Sequence, residues 1–198
     1  MLVKKIIKTL LITILSLFFT ANSFSLEPKD FVQQTVDDAA RALDQSLSKE
    51  LKIIKLKEIA EKTVDIKGLA SYTIGKKRKE LSPEELEKYE ELFEKYFLKS
   101  FTSRLTDYSD PKINVLSADV KSEKYTIVKT MLVKTDKKPE VKIDWRVYTK
   151  NPDNPLIRDL IVEGLSLART QKEEFSSILS ANDGDINALF KKLAEFVN

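Results

Sequence analysis

Apolar positions recur at three- and four-residue steps from Pro28 to about Leu47: Phe31, Thr35, Val36, Ala39, Ala40, Leu43 and Leu47. That spacing puts them on one face of a helix. Residues 51–63 predict a second helix, and "DIKGLASYTIGKK" over 65–77 a short apolar one ending near Gly75. The clearest signal is "LSPEELEKYEELFEKYFLKSFTSRLTDY". Ser82 stands as N-cap, Pro83 at the first helical position, and Glu85 completes a capping box, with Leu81 and Leu86 as a hydrophobic staple. Leu86, Tyr89, Phe93, Tyr96, Phe97, Phe101, Leu105 and Tyr108 then form a wide aromatic stripe along a helix running to about Tyr108.

Beyond Pro111 the period changes to two. Residues 112–120, 124–134, 140–149 and 156–163 are rich in Val, Ile, Tyr and Thr and predict four strands. "VKIDWRVYTK" alternates, with Val141, Ile143, Trp145 and Val147 on one face and Lys142, Asp144, Arg146 and Tyr148 on the other. "KTDKKPE" and "TKNPDNP" carry turn chemistry. Helical spacing returns from Ser166 to about Leu179, and Asp183 or Asp185 caps a last helix ending near Phe196. Helices, four consecutive strands, then helices make an α+β fold: a curved antiparallel four-stranded sheet whose apolar face is covered by helices.

The first residues stand apart. Lys4, Lys5 and Lys8 precede a short apolar run, Leu10 to Phe19, followed by small polar residues. This predicts a secretory signal peptide over 1–25 and a single domain over 26–198. Three of the 34 basic residues and none of the 31 acidic ones lie in that segment, so 26–198 is formally neutral. The excess that would favour nucleic acid is absent.

Histidine and cysteine are absent. Imidazole general-base chemistry, thiolate catalysis and thiolate zinc sites are thereby excluded. Only four glycines occur, and no phosphate-binding glycine loop is among them. "LIVEGLSLART" holds half of a G-x-S-x-G elbow, but position 168 is Ala and no histidine exists to activate Ser166. A helix N-cap is the plainer role. Asp144, Asp159 and Glu163 are the carboxylates a hydrolase would need, with Arg146 and Arg158 as structural partners. The run Lys76, Lys77, Arg78 and Lys79 reads either as a solvated loop or as a docking patch for an acidic partner or lipid headgroups. The aromatic stripe is compatible with a filled core and with a lined cavity, because both require the same pattern.

Several pieces together resemble a known family: "DIKGLASYTIGK", "LSPEELEKYEELFEKYFLKSF", "VKIDWRV", "IRDLIVEGLSLARTQKEEFSSIL" and "GDINALFKKL". In order and spacing, from about Phe31 to Phe196, they are similar to the MlaC, or toluene-tolerance, family of periplasmic phospholipid-binding proteins. The resemblance implies a fold related to the nuclear-transport-factor-2-like proteins, with an apolar cavity between sheet and helices. Acyl tails of a glycerophospholipid would sit inside and the headgroup at the mouth. It implies a monomeric periplasmic carrier, with phospholipid as cargo and no cofactor or catalytic residue. Its partners would be an outer-membrane lipoprotein–porin complex and an inner-membrane ABC transporter complex, and its task the maintenance of outer-membrane lipid asymmetry. The expected wall comprises Phe93, Phe97 and Phe101 on the long helix and Val141, Ile143, Trp145 and Val147 on a strand. Ile66, Leu69, Tyr72, Ile161 and Phe175 complete it. A periplasmic chaperone for lipidated or apolar polypeptides would carry the same pattern.

Overall fold

The computed structural model describes residues 26–108, 110–135 and 139–198. The expected signal peptide and the centre of the "KTDKKPE" turn lie outside the described residues. Among the described residues each α-helix begins at a side chain that satisfies an otherwise free backbone N–H, or at a proline that has none. Pro28 opens α1 (Pro28–Ala42). Ser48 caps α2 (Lys49–Thr63), its Oγ accepting from the Leu51 N–H. Asp65 caps α3 (Ile66–Ile74) through the Gly68 N–H at 2.9 Å. Position 68 has to be glycine for this cap, since a Cβ there would collide with the Asp65 carboxylate. A 3₁₀ turn, Gly75–Lys79, follows. The expected capping box opens α4 (Pro83–Leu105): Ser82 Oγ accepts from the Glu85 N–H at 3.2 Å, and Glu85 Oε2 from the Ser82 N–H at 2.8 Å.

Two helices are shorter than their apolar spacing predicts. α1 stops before Leu47 because Asp44 accepts from the Ser46 N–H and hydroxyl, closing a local turn that competes with helix. α4 stops at Leu105 rather than Tyr108. Its last turn is rich in Ser and Thr, whose hydroxyls bond back to carbonyls three or four residues earlier.

The sheet is an antiparallel meander in the order β1 (Ile113–Ser122), β2 (Tyr125–Leu132), β3 (Val141–Tyr148), β4 (Leu156–Val162) and β5 (Leu165–Ser166). Irregularities in β1 and between Arg146 and Val147 break its register; bulges of this kind bend and twist a sheet. The fifth strand corrects the expectation of four. Glu163 and Gly164 both have positive φ, +49° and +83°, so the chain makes a two-residue hairpin. It returns to pair Val162 with Leu165 and Ile161 with Ser166. A two-residue strand leaves no period-two signal to read.

α5 (Leu167–Ser180) and α6 (Ile186–Val197) complete the chain, the latter capped by Asp185. The alternation expected in β3 holds. Trp145 pairs with Val128 on one side and Leu160 on the other, and the face they share packs against Phe31, Val32 and Val36 of α1. The opposite face carries a polar ladder: Asp119 with Lys129 at 2.6 Å, Lys142 with Asp144 at 3.7 Å, and Arg146 with Asp159 at 3.7 Å. Arg158 fastens α3 to the sheet. Its Nε donates to Asp65 Oδ2 at 2.6 Å, one Nη donates to the Tyr125 hydroxyl at 3.0 Å, and the guanidinium lies 3.6 Å from the Tyr148 ring centroid.

Candidate lipid-binding interior

The apolar interior is not one body. A helical cluster gathers Leu69, Tyr89, Phe93, Phe175, Leu189 and Leu193 with other residues of α3, α4, α5 and α6. A sheet cluster holds Val128, Trp145, Val147 and Ile157 under α1. A third, small cluster joins Ala42, Leu43 and Leu56, with Phe101 and Leu105 against it. A domain of this size ordinarily has one contiguous core with minor satellites. Here the separate clusters are linked by half-buried residues. Val64 touches both the helical and the sheet cluster.

Phe93, Phe97 and Phe101 bridge the helical and third clusters. At i, i+4 and i+8 they lie on one stripe of α4. Their rings stack nearly parallel, with centroids 6.3 and 5.9 Å apart and interplanar angles of 17° and 12°. Phe93 is buried, while Phe97 and Phe101 are half-buried. Phe175 meets Phe93 edge-on at 6.2 Å, nearly perpendicular. Stacked and edge-on pairs at these separations are the favourable aromatic geometries.

The polar atoms that Trp145, Tyr89 and Tyr96 bring to this apolar scaffold are matched. The Trp145 Nε1–H donates to Thr130 Oγ1 at 2.9 Å, and that hydroxyl donates onward to the Ile143 carbonyl. Tyr89 is fully buried and its hydroxyl bonds Thr73 Oγ1 at 2.9 Å. Burial pushes the Tyr89 phenol far above the usual tyrosine range, with the Thr73 bond pulling weakly the other way. Tyr96 donates to Gln171 Oε1 at 2.8 Å; burial, and then the nearby Glu174 charge, raise its pKa.

The residues expected to form one wall are distributed over these clusters. Leu69, Phe93 and Phe175 belong to the helical cluster, with Ile66 and Phe97 packed on it. Trp145 and Val147 belong to the sheet cluster, with Ile143 on its margin. Phe101 flanks the third. Val141 and Ile161 are half-buried on the sheet. Tyr72 is on the surface, 43 % exposed, with the Lys172 ammonium 4.9 Å from its ring centroid. Phe31, Val32 and Val36, absent from the expected wall, cover the sheet; the apolar period of α1 was the signal for them. Two depressions open on the surface. One of about 450 Å³ lies between α4, α5 and α6, floored by Phe175 and Leu193. The other, about 480 Å³, lies beside Tyr72, Arg169 and Lys172.

The candidate chemistry of the β4–β5 hairpin resolves into structure. Ser166 caps α5, its Oγ accepting from the Arg169 N–H at 3.1 Å. Its own hydroxyl donates to Asp159 Oδ2 at 2.6 Å. Asp159 Oδ1 accepts from the Ala168 N–H at 3.0 Å, and its side chain is only 1 % exposed. Glu163 Oε1 accepts from the Lys142 N–H. Among the described residues no group of acidic side chains is arranged to hold a metal ion, and no helix is long and apolar enough to cross a membrane.

The fold is α+β: a curved meander and a helical layer that share a divided apolar interior. The chain belongs to the MlaC protein family, whose model matches residues 31–195. No curated protein matches it in sequence. Among solved structures it is similar to the phospholipid-binding protein of Ralstonia solanacearum, determined in complex with a phospholipid. The two superpose with a TM-score of 0.71 at 18 % identity, over 85 % of this chain and 96 % of that one.

Proposed function

We propose that this chain is a soluble periplasmic carrier that holds the acyl tails of a phospholipid and shuttles it between membrane complexes. Its partners in this reading are an outer-membrane lipoprotein–porin complex and an inner-membrane ABC transporter complex, and the traffic maintains lipid asymmetry in the outer membrane. The observation that carries the reading is the divided interior with a half-buried phenylalanine ladder along its seam. Family membership and the phospholipid held by the Ralstonia solanacearum protein support it.

The physical demand on such a carrier is large. Two tails of about 30 methylenes at about 0.8 kcal/mol each represent roughly 24 kcal/mol of exposure to water. At the packing of benzene in a 150 Å³ cavity, about 25 Å³ per carbon, they need roughly 750 Å³. Each of the two depressions described above is smaller than that. In this reading loading parts the clusters, with Val64 between the sheet and helical clusters and the ladder between the helical and third clusters. Separated clusters can part at lower cost than one interlocked core, because fewer contacts bridge them.

Native mass spectrometry of protein purified from periplasm tests this. The expected result is a phospholipid adduct that organic extraction removes. Protein that carries no lipid, and takes none from labelled vesicles, would sink the carrier reading; a bound polypeptide in its place would favour the chaperone.

A further inference from the structure

The 3₁₀ turn places Lys76, Lys77, Arg78 and Lys79 side by side, none of them buried in the core. Its neighbours extend the charge. A Cβ on Gly75 would sit 3.3 Å from Lys172 Cε, so α5 brings Lys172 against the start of the turn. Lys172 and Arg169 line one shallow depression with Tyr72 and three serines, Ser176, Ser177 and Ser180. Two carboxylates offset part of the charge: Glu80 pairs with Lys77 at 3.0 Å and Glu173 with Arg169 at 3.7 Å. Lys77 also lies beside Gly184, which Asp183 and Asp185 flank; six cations against these four carboxylates still leave a local excess on a chain whose residues 26–198 are formally neutral. Cations at the C-terminus of α3 also complement its dipole, but one or two suffice for that.

We propose that this surface — the 3₁₀ turn with Arg169, Lys172 and Tyr72 — docks on an anionic phospholipid bilayer. Three features favour a bilayer over an acidic protein. Four of the six cations are lysines, which protein interfaces deplete and which suit diffuse headgroup charge. Tyr72 is an exposed, amphipathic aromatic of the kind that settles at headgroup depth. The depression beside it is lined by Tyr72, charged side chains and serines, with no aliphatic side chain to anchor a protein hot spot. The purpose of docking, to bring the seam of a carrier close to a membrane, rests on the function proposed above; the docking itself does not.

The test is partitioning of the full-length mature protein, lipid-loaded and delipidated, onto two vesicle types. One is phosphatidylcholine alone; the other contains phosphatidylglycerol and phosphatidylcholine in equal parts. Binding should require phosphatidylglycerol and weaken at high salt. Each cation near such a surface multiplies partitioning roughly fivefold, so changing Lys76, Lys77, Arg78 and Lys79 together to Gln should reduce it by roughly two to three orders of magnitude. Changing Lys49, Lys55, Lys57 and Lys62 of α2 to Gln removes the same charge elsewhere and should leave partitioning within about twofold. Circular dichroism of both variants checks that each is folded. Absence of binding to anionic vesicles at low salt overturns the proposal, as does equal loss in the two quadruple variants. Selective binding to an acidic protein without vesicle binding also overturns it. Lipid content of the purified proteins, read separately, reports on the carrier reading alone.

Discussion

Ser166 and Asp159 allow the reading of the β4–β5 hairpin to be tested quantitatively. An ordinary exposed cap, removed by mutation to Ala, costs about 1 kcal/mol. Ser48, whose oxygen accepts from the Leu51 N–H and whose side chain also bonds the fully exposed Glu50 carboxylate, is such a cap, so Ser48→Ala sets the scale within the same protein. Ser166 does more. Its hydroxyl also donates to a carboxylate that is almost fully out of water. Hydrogen bonds to charged groups contribute about 1.5–3 kcal/mol, so Ser166→Ala should cost about 2.5–4 kcal/mol in all. Asp159→Ala frees the Ala168 N–H and the Ser166 hydroxyl, and leaves Arg146 without its partner. Arg146 is 43 % exposed and stays solvated, so the loss comes from the stranded donors, about 1–3 kcal/mol for each buried one. The three groups form one network, so the double variant should lose less than the sum of the two single losses. Urea unfolding measures all of this, provided the slopes agree between variants. Equal losses for Ser166→Ala and Ser48→Ala, or strict additivity in the cycle, would refute the network. Stoichiometric labelling of Ser166 by a fluorophosphonate would refute the structural role altogether.

The buried Tyr89–Thr73 pair gives an asymmetric prediction. The Thr73 hydroxyl lies 2.9 and 3.0 Å from the Leu69 and Ala70 carbonyls, so its proton goes there and Tyr89 is the donor between the two. Thr73→Val therefore strands a buried phenol donor and should cost about 1–3 kcal/mol, whereas Tyr89→Phe should cost about 1 kcal/mol. Alkaline titration at the phenolate absorbance tests the raised Tyr89 pKa. The fold favours the protonated phenol, so its contribution is intact below the usual tyrosine value of 10.0 and is lost as pH rises above it, with Tyr89 ionising only on unfolding. Ionisation of all six tyrosines near the usual phenolic pH in folded protein would contradict this. For the interior, Phe97→Asp should abolish lipid retention, because a carboxylate facing hydrocarbon has no partner. Val141→Trp should reduce bound lipid while the delipidated domain stays folded; if instead it costs about 1–3 kcal/mol and leaves lipid content unchanged, that residue packs a filled core.

Local rules made much of the architecture legible before any coordinates. The capping box at Ser82 and Glu85, the α+β order and the two faces of β3 each depend on residues close in sequence. Three kinds of feature escaped. The fifth strand has two residues and depends on a hairpin, whose Glu163 is an unusual residue at positive φ. The Arg158–Asp65 link joins positions 93 residues apart, and nothing periodic announces it. The aromatic stripe of α4 was visible, but its division was not: Tyr89 and Phe93 turn toward α5, while Phe101 and Leu105 meet α1 and α2. A period of 3.6 says which residues share a face, not how many bodies that face will touch. Tyr72 shows the same limit, since an apolar helix face can end under a lysine as readily as in a core.

The helical cluster also constrains how the chain can mature. Tyr89 meets Phe175 edge-on at 6.5 Å, although the two are separated by the entire β-meander. When synthesis or export delivers the chain from its N-terminus, α3 and α4 emerge long before α5 and α6 can cover them. The sheet, made of successive hairpins, has short loops to close and can form from consecutive segments. The helical layer cannot. Its aromatic face stays wet until the last quarter of the chain arrives, a window in which the unfinished protein resembles the cargo it is proposed to carry.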